Sequence, residues 1–143
     1  MEQIPVRFTV QNTGHEQPLT LRLLVDNQCV WESVVTDSQT VTVDVSAEDG
    51  DHSLTWEMSG KTTEYTVVDS DNNIVSDACL EFANIEFDGI NIDQLVQKLA
   101  QYRHDFNGTG AAINDKFYHS MGCNGTVTLE FSSPFYLWLL EHM

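Results

Sequence analysis

The feature that most constrains this chain is the strict alternation of apolar and polar residues through its first half. Ile4, Val6, Phe8 and Val10 occupy every second position, with Arg7 and Thr9 between them. In an extended backbone that spacing sends apolar side chains to one face and polar ones to the other. Leu19, Leu21, Leu23 and Val25 repeat the pattern, Val41, Val43 and Val45 continue it, and Leu54, Trp56 and Met58 alternate with Thr55, Glu57 and Ser59. Turn chemistry separates the runs. Asp26-Asn27 folds the second run back onto Cys29, Val30 and Trp31 as a hairpin, and Glu48 to Asp51 contains an Asp-Gly pair that tolerates positive φ. Pro5 fits a strand start or an edge strand. No helical period is present before residue 90, so the pattern predicts a mainly β chain, an antiparallel β-sandwich of jelly-roll-like form rather than a βαβ architecture.

The second half has a different texture. Leu80 and Phe82 alternate, then Ile85 and Phe87 do so in the opposite phase, and a β-bulge at Ala83-Asn84 accounts for the slip. From Asn91 the period lengthens: Ile92, Leu95, Val96, Leu99 and Phe106 fall on one helical face, Asn91 and Gln94 are spaced as a capping box, and Lys98, Arg103 and His104 follow where the helix dipole favours cations. This predicts one α-helix near residues 92–104, ending before Asn107-Gly108. Residues 107–125 read as an ordered irregular loop anchored by Phe117, Tyr118 and Met121. Thr126 to Phe131 reads as a strand, and Ser133-Pro134 opens a C-terminal aromatic segment that is a short helix or a strand. The expected division is one domain over 1–143, with the sandwich core in 4–93 and the helix, loop and terminal segment of 94–143 packed on it.

A chain of 143 residues can bury roughly two-thirds of its unfolded surface in a single core. Its formal net charge, 6 minus 22 or −16, opposes attraction to nucleic-acid backbones and anionic membranes, both of which depend on Lys and Arg. Neither is an expected partner. Cys29, Cys79 and Cys123 are an odd set without short paired spacing, which suggests reduced thiols rather than a disulfide framework or zinc site. No charged leader and no membrane-length apolar run opens the chain, so folding in a cytoplasm is the expectation.

The stretch from Glu64 to Asp77 holds the best ligand-site candidate. Asp69, Asp71 and Asn73 stand at the first three ligand offsets of a calcium loop, with Asp77 at the ninth, although Ile74 replaces the glycine expected at the sixth. Hard oxygen ligands at alternate positions converge on one ion when the backbone curls, and an acidic chain favours cation capture. The same residues are also ordinary hairpin-turn chemistry. Tyr65, beside the turn, could stack on a sugar ring, whereas Trp31 and Trp56 lie inside strands and read as core. His104, Asp105, His119 and Cys123 flank one loop, but their spacing matches no standard metal site. No nucleophile-elbow sequence is present, and paired carboxylates for glycoside hydrolysis require a separation that sequence does not show. Phe135, Tyr136, Trp138 and Leu139 lie in an apolar run that must close the core or dock a partner.

The rhythm of Leu19 to Ser33, of Asp51 to Trp56 and of Ile85 to Asp93 resembles the β-sandwich carbohydrate-binding modules of the calcium-dependent xylan-binding type, over roughly residues 4–93. That resemblance implies calcium held by aspartates and backbone carbonyls at a sandwich edge, with Asp69, Asp71 and Asp77 as the nearest equivalents here. The short acidic sandwich with an added helix and aromatic tail is also similar to small virion proteins of tailed bacteriophages, used as decorations, fibres or tail parts. Two expectations follow. The first is a non-enzymatic structural or attachment component of a larger assembly, made in the cytoplasm and destined for a virion, docked to protein partners or to copies of itself through the terminal aromatics. The alternative is a calcium-dependent glycan-binding module. Hydrolase activity is a residual third.

Overall fold

A computed structural model describes residues 1–14 and 17–143, without the side chains of Thr63, Val75 and Ser76. The expected loop at 12–18 therefore lies partly outside the described residues. The alternating runs form β1 (Glu2–Asn12), β2 (Leu19–Val25), β3 (Gln28–Val35), β4 (Ser38–Ala47) and β5 (Gly50–Ser59). A single 3-10 turn at Thr63–Tyr65 leads to a small ribbon of β6 (Val67–Val68) and β7 (Ile74–Ser76). Then come β8 (Leu80–Phe87), β9 (Ile90–Asn91), α1 (Asp93–Leu99), β10 (Gln101–His104), β11 (Ile113–Lys116), β12 (Ser120–Met121), β13 (Gly125–Ser133) and α2 (Phe135–His142).

Two antiparallel sheets face each other. One runs β12-β8-β1-β4, with β9 also on β8; the other is six-stranded in the order β11-β10-β13-β5-β2-β3. The inward residues of β1, β2 and β5 are buried as the alternation predicts, and Phe8 packs edge-on against both Trp31 and Trp56 between the sheets. Asp26 and Asn27 both take positive φ in the hairpin turn between β2 and β3.

The bulge in β8 is present and does structural work. Arg7 pairs with Glu86 and Thr9 with Ala83, so Asn84 and Ile85 together oppose Phe8, and Asn84 has φ of 53°. The displaced Ile85 amide donates to Asp93 Oδ1, and Ile85 carbonyl accepts from Ile92. The bulge thereby holds the start of α1 against the sheet. Pro5 lies in a strand paired on both sides rather than at an edge. Its carbonyl accepts from Asp88, in the turn just past the end of β8, so its missing N–H falls beyond the partner strand and breaks no ladder.

The long helix expected at 92–104 is cut to seven residues. Ala100 turns extended, at φ −72° and ψ 147°, and Gln101 to His104 become β10, bonded to β13 on one side and β11 on the other. Two ladders outweigh the propensity to continue one helical turn. Asn91 does not cap by side chain in the expected box; its Oδ1 accepts from Asp93 instead. Phe106, expected on the buried helical face, lies in a left-handed turn at φ 58° and is 45% exposed. The region 107–125 contributes β11 and β12, and of its three expected anchors Phe117 and Met121 are buried while Tyr118 is exposed. The segment after residue 93 thus supplies strands to both sheets.

The terminal run is a helix, entered through a cis Ser133–Pro134 bond. Phe135 meets Phe87, and Trp138 packs on Phe131 and Phe135, closing one end of the sandwich. Glu2 Oε1 accepts from Ser133 Oγ and from the Phe135 amide, tying this end to β1.

Candidate functional site

The aspartate-rich stretch divides into two environments. Between β6 and β7 the chain reverses in a tight turn: Asp69 Oδ1 accepts from the Asp71 amide at 2.9 Å and the Asn73 amide at 3.0 Å, while Asn72 takes φ of 64°. This is an Asx turn. The Asn73 amide first, then that of Asp71, hold the Asp69 carboxyl below its ordinary pKa. Asp71 and Asn73 are exposed on the same turn.

Asp77 leaves the turn altogether. Its Oδ1 lies 2.7 Å from Lys61 Nζ and accepts from Thr66 Oγ1 at 2.8 Å and the Ala78 amide at 2.9 Å. Lys61 Nζ also donates to the Gly122 carbonyl at 2.6 Å, and Asn124 grips the Lys61 backbone from both sides, accepting from its amide and donating to its carbonyl. Burial alone would raise the Asp77 carboxyl, but the hydrogen bonds from Lys61, Thr66 and Ala78 outweigh it and the net shift is downward. A buried ammonium therefore occupies this carboxylate. Calcium takes 6–8 oxygen ligands, and among the described residues no three His, Cys, Asp or Glu side chains converge on one point. The four residues expected to form one ion site are not brought together, and the turn as built does not fit a calcium cage.

The other expected site residues are also accounted for. Tyr65 packs at the core margin and donates its hydroxyl to the Pro18 carbonyl at 3.1 Å. Phe135, Trp138 and Leu139 are buried in this chain's own core, which leaves Tyr136, 50% exposed, as the one expected docking residue open to a partner. His119 Nε2 faces the Asp93 carbonyl, and His104 lies tilted against Tyr102 and edge-on to Phe106; among the described residues neither joins Cys123 in a metal set.

An open concavity lies elsewhere. A groove of about 720 Å³ opens where β5, β10 and β13 meet α2, lined by Asp51, Ser53, Thr128, Glu130, Trp138 and Glu141 among others. The strands present hydroxyls and carboxylates because the residues between their buried positions are polar, and α2 supplies a wall. His52 anchors one margin: Nδ1 is 2.7 Å from Asp26 Oδ2 and Nε2 is 2.5 Å from the Glu48 carbonyl. Both ring nitrogens face acceptors, which only the imidazolium can satisfy as a double donor. The Glu48 carbonyl first, then Asp26, raise the His52 pKa. For Asp26 burial pushes upward, yet bonds from His52 and the Ser53 amide bring it below its ordinary value. With Asp26, Asp51, Glu130 and Glu141 on its rim, the groove is rich in hydrogen-bond acceptors.

Sequence reasoning missed this groove because its members come from strands and a helix far apart in the chain. The available signal was the outward set Thr126, Thr128, Glu130 and Ser132, interleaved with the apolar residues of β13.

No family model matches this chain and no curated protein does. Among solved structures it is similar to the selenomethionine form of the carbohydrate-binding module vCBM60, from work on a circular permutation linking two families of calcium-dependent carbohydrate-binding modules. That likeness has a TM-score of 0.57 at 11% identity, covering 88% of this chain and 89% of the other. vCBM60 in complex with galactobiose also superposes, at a TM-score of 0.48 and 13% identity over 90% of this chain and 97% of the other, too loosely to add to the first. The fold is a β-sandwich of carbohydrate-binding-module form.

Proposed function

We propose that this protein is a non-catalytic module that binds a neutral glycan in the groove between the six-stranded sheet and α2. The observation that carries the reading is the coincidence of an acceptor-rich open groove with a carbohydrate-binding-module sandwich. Carboxylates accept strongly from sugar hydroxyls, and the rim of Asp51, Glu130 and Glu141 sets several around one polar floor. The net charge of −16 repels uronate-bearing or sulfated chains, so a neutral polyol is the matching class. Between the two expectations raised by the sequence, the fold likeness supports glycan binding; a virion role draws no support from it.

The calcium dependence belongs to the neighbouring modules, and the proposal requires none here, because Asp77 is held by Lys61. The test is affinity electrophoresis through gels containing neutral β-glucan, xylan or galactan, with polygalacturonate as the acidic control. Retardation by at least one neutral polymer, unchanged by chelator and weakened about tenfold or more by Glu130→Gln, is expected, the scale of one hydrogen bond to a charged group. Free migration in every neutral gel, or retardation indifferent to Glu130→Gln, would reject the reading. Loss of retardation in chelator would return calcium to the site.

A further inference from the structure

The outer face of the six-stranded sheet carries a second groove in line with the first. It holds about 510 Å³ and is lined by Glu57, Arg103, His104, Asn124 and Thr126 among others. Register shows how the two relate. Glu130 of β13 pairs with Ser53 of β5; two residues along, Thr128 pairs with Thr55 and with Gln101 of β10; two further, Thr126 pairs with Glu57 and Arg103. Paired residues share a face, and the alternate positions Val127, Leu129, Leu54 and Trp56 are buried in the core. The three rows are therefore successive rungs on one outward surface.

The first groove includes Glu130, Ser53, Thr128 and Gln101, and the second Thr126, Glu57 and Arg103. The middle row, whose Thr128 and Gln101 already line the first groove and whose Thr55 and Thr128 hydroxyls meet at 3.2 Å, is followed directly by the row of the second. From Glu130 to Thr126 the strand advances about 13 Å, and every side chain facing out along it is polar. The two ends differ in chemistry. The first is dominated by carboxylate acceptors. At the second, Glu57 is taken by Arg22 at 3.0 Å, whereas the exposed Arg103 guanidinium makes no hydrogen bond or ion pair among the described residues. Beyond it the Phe106 ring stands edge-on to His104 with centroids 4.8 Å apart, exposed at the margin.

We infer that the ligand is a linear oligosaccharide that lies along these rows, with Arg103 as a distal binding residue donating to the chain end remote from Glu130. This rests on the glycan reading of the first groove and adds to it the length and direction of the ligand. A track of hydroxyls and carboxylates ending in a donor suits a chain of several neutral rings better than one terminal sugar, since acceptors and donors are placed at separate points along the path.

Calorimetry on the whole protein with neutral gluco-, xylo- and galacto-oligosaccharides, from disaccharide to hexasaccharide, tests it. Affinity for the best series is expected to rise at least tenfold with length and then level off. Arg103→Ala is expected to lower hexasaccharide affinity about tenfold while leaving the disaccharide unchanged, whereas Glu130→Gln weakens both. Disaccharide binding as tight as hexasaccharide binding, or an Arg103→Ala variant that matches wild type at every length, overturns the extended site while leaving the first groove standing. Absence of binding at every length sinks the glycan reading itself, and this inference with it.

Discussion

Asp69 and Asp77 sit at the two ends of one short hairpin, and their carboxylates have opposite roles. Asp69 folds back on its own amides and shapes a local turn. Asp77 instead reaches an ammonium whose side chain is only 2% exposed, and through it the Gly122 carbonyl, so that three separate parts of the chain meet there. The difference shows that a run of aspartates defines no site by itself. What each carboxylate does depends on which donor the fold delivers to it, and the donor for Asp77 comes from a lysine that the local pattern does not single out.

The largest expected effect breaks the clasp. Lys61→Met leaves Asp77 without its counterion and Gly122 without its donor. Removing one partner of a buried pair costs about 3–5 kcal/mol, and the lower end applies because the Asp77 side chain is 28% exposed. Urea unfolding should show it; a loss far below that would mean that Asp77 is solvated and that the two aspartates are not so different. The pair of titrations comes next. The Asp77 pKa is depressed, so its contribution is present above the unfolded value near pH 4 and is lost as pH falls through the lower folded value. Wild type should lose stability over that acid window relative to Asp77→Asn. His52 runs the other way: its folded pKa is raised, so its contribution is full below the unfolded value near 6.5 and disappears as pH rises through the folded one. Ring-proton NMR should place the His52 titration above that of an unperturbed histidine, and a midpoint at or below the ordinary value would contradict the double-donor geometry.

The smallest effects belong to the turn. Asp69→Ala removes the acceptor of two backbone amides, so hydrogen exchange at Asp71 and Asn73 should quicken while the global unfolding midpoint barely moves. Asp71→Ala should change neither. A large drop in midpoint from either variant would show that the ribbon is coupled to the core and would erase the contrast with Asp77.

Alternation made β1, β2 and β5 legible, because in a sandwich one strand face meets the core and the other meets water. The same rule exposed the bulge at Asn84, and the Asp26-Asn27 pair announced its hairpin. The sequence pattern of Gln101 to His104 predicts helix because Leu95, Val96 and Leu99 carry a helical period up to their edge. Nothing within that segment records that β13, more than twenty residues later, offers it a ladder. The groove was hidden for a similar reason. Glu130, Gln101 and Glu141 are unremarkable surface polars until β10, β13 and α2 set them around one opening.

The terminal aromatics show where the division falls. Their composition required that Phe135 and Trp138 be covered, whatever the fold, because large rings in water oppose a folded state. Whether Phe87 and Phe131 of the same chain would cover them, or a partner, was decided only when Glu2 tied α2 across the open end of the sandwich. Period, turn residues and charge are local properties and can be read from neighbours in sequence. Ladder partners, counterions and groove walls are non-local, and the backbone entropy lost in bringing distant segments together is offset only by the whole set of contacts formed at once.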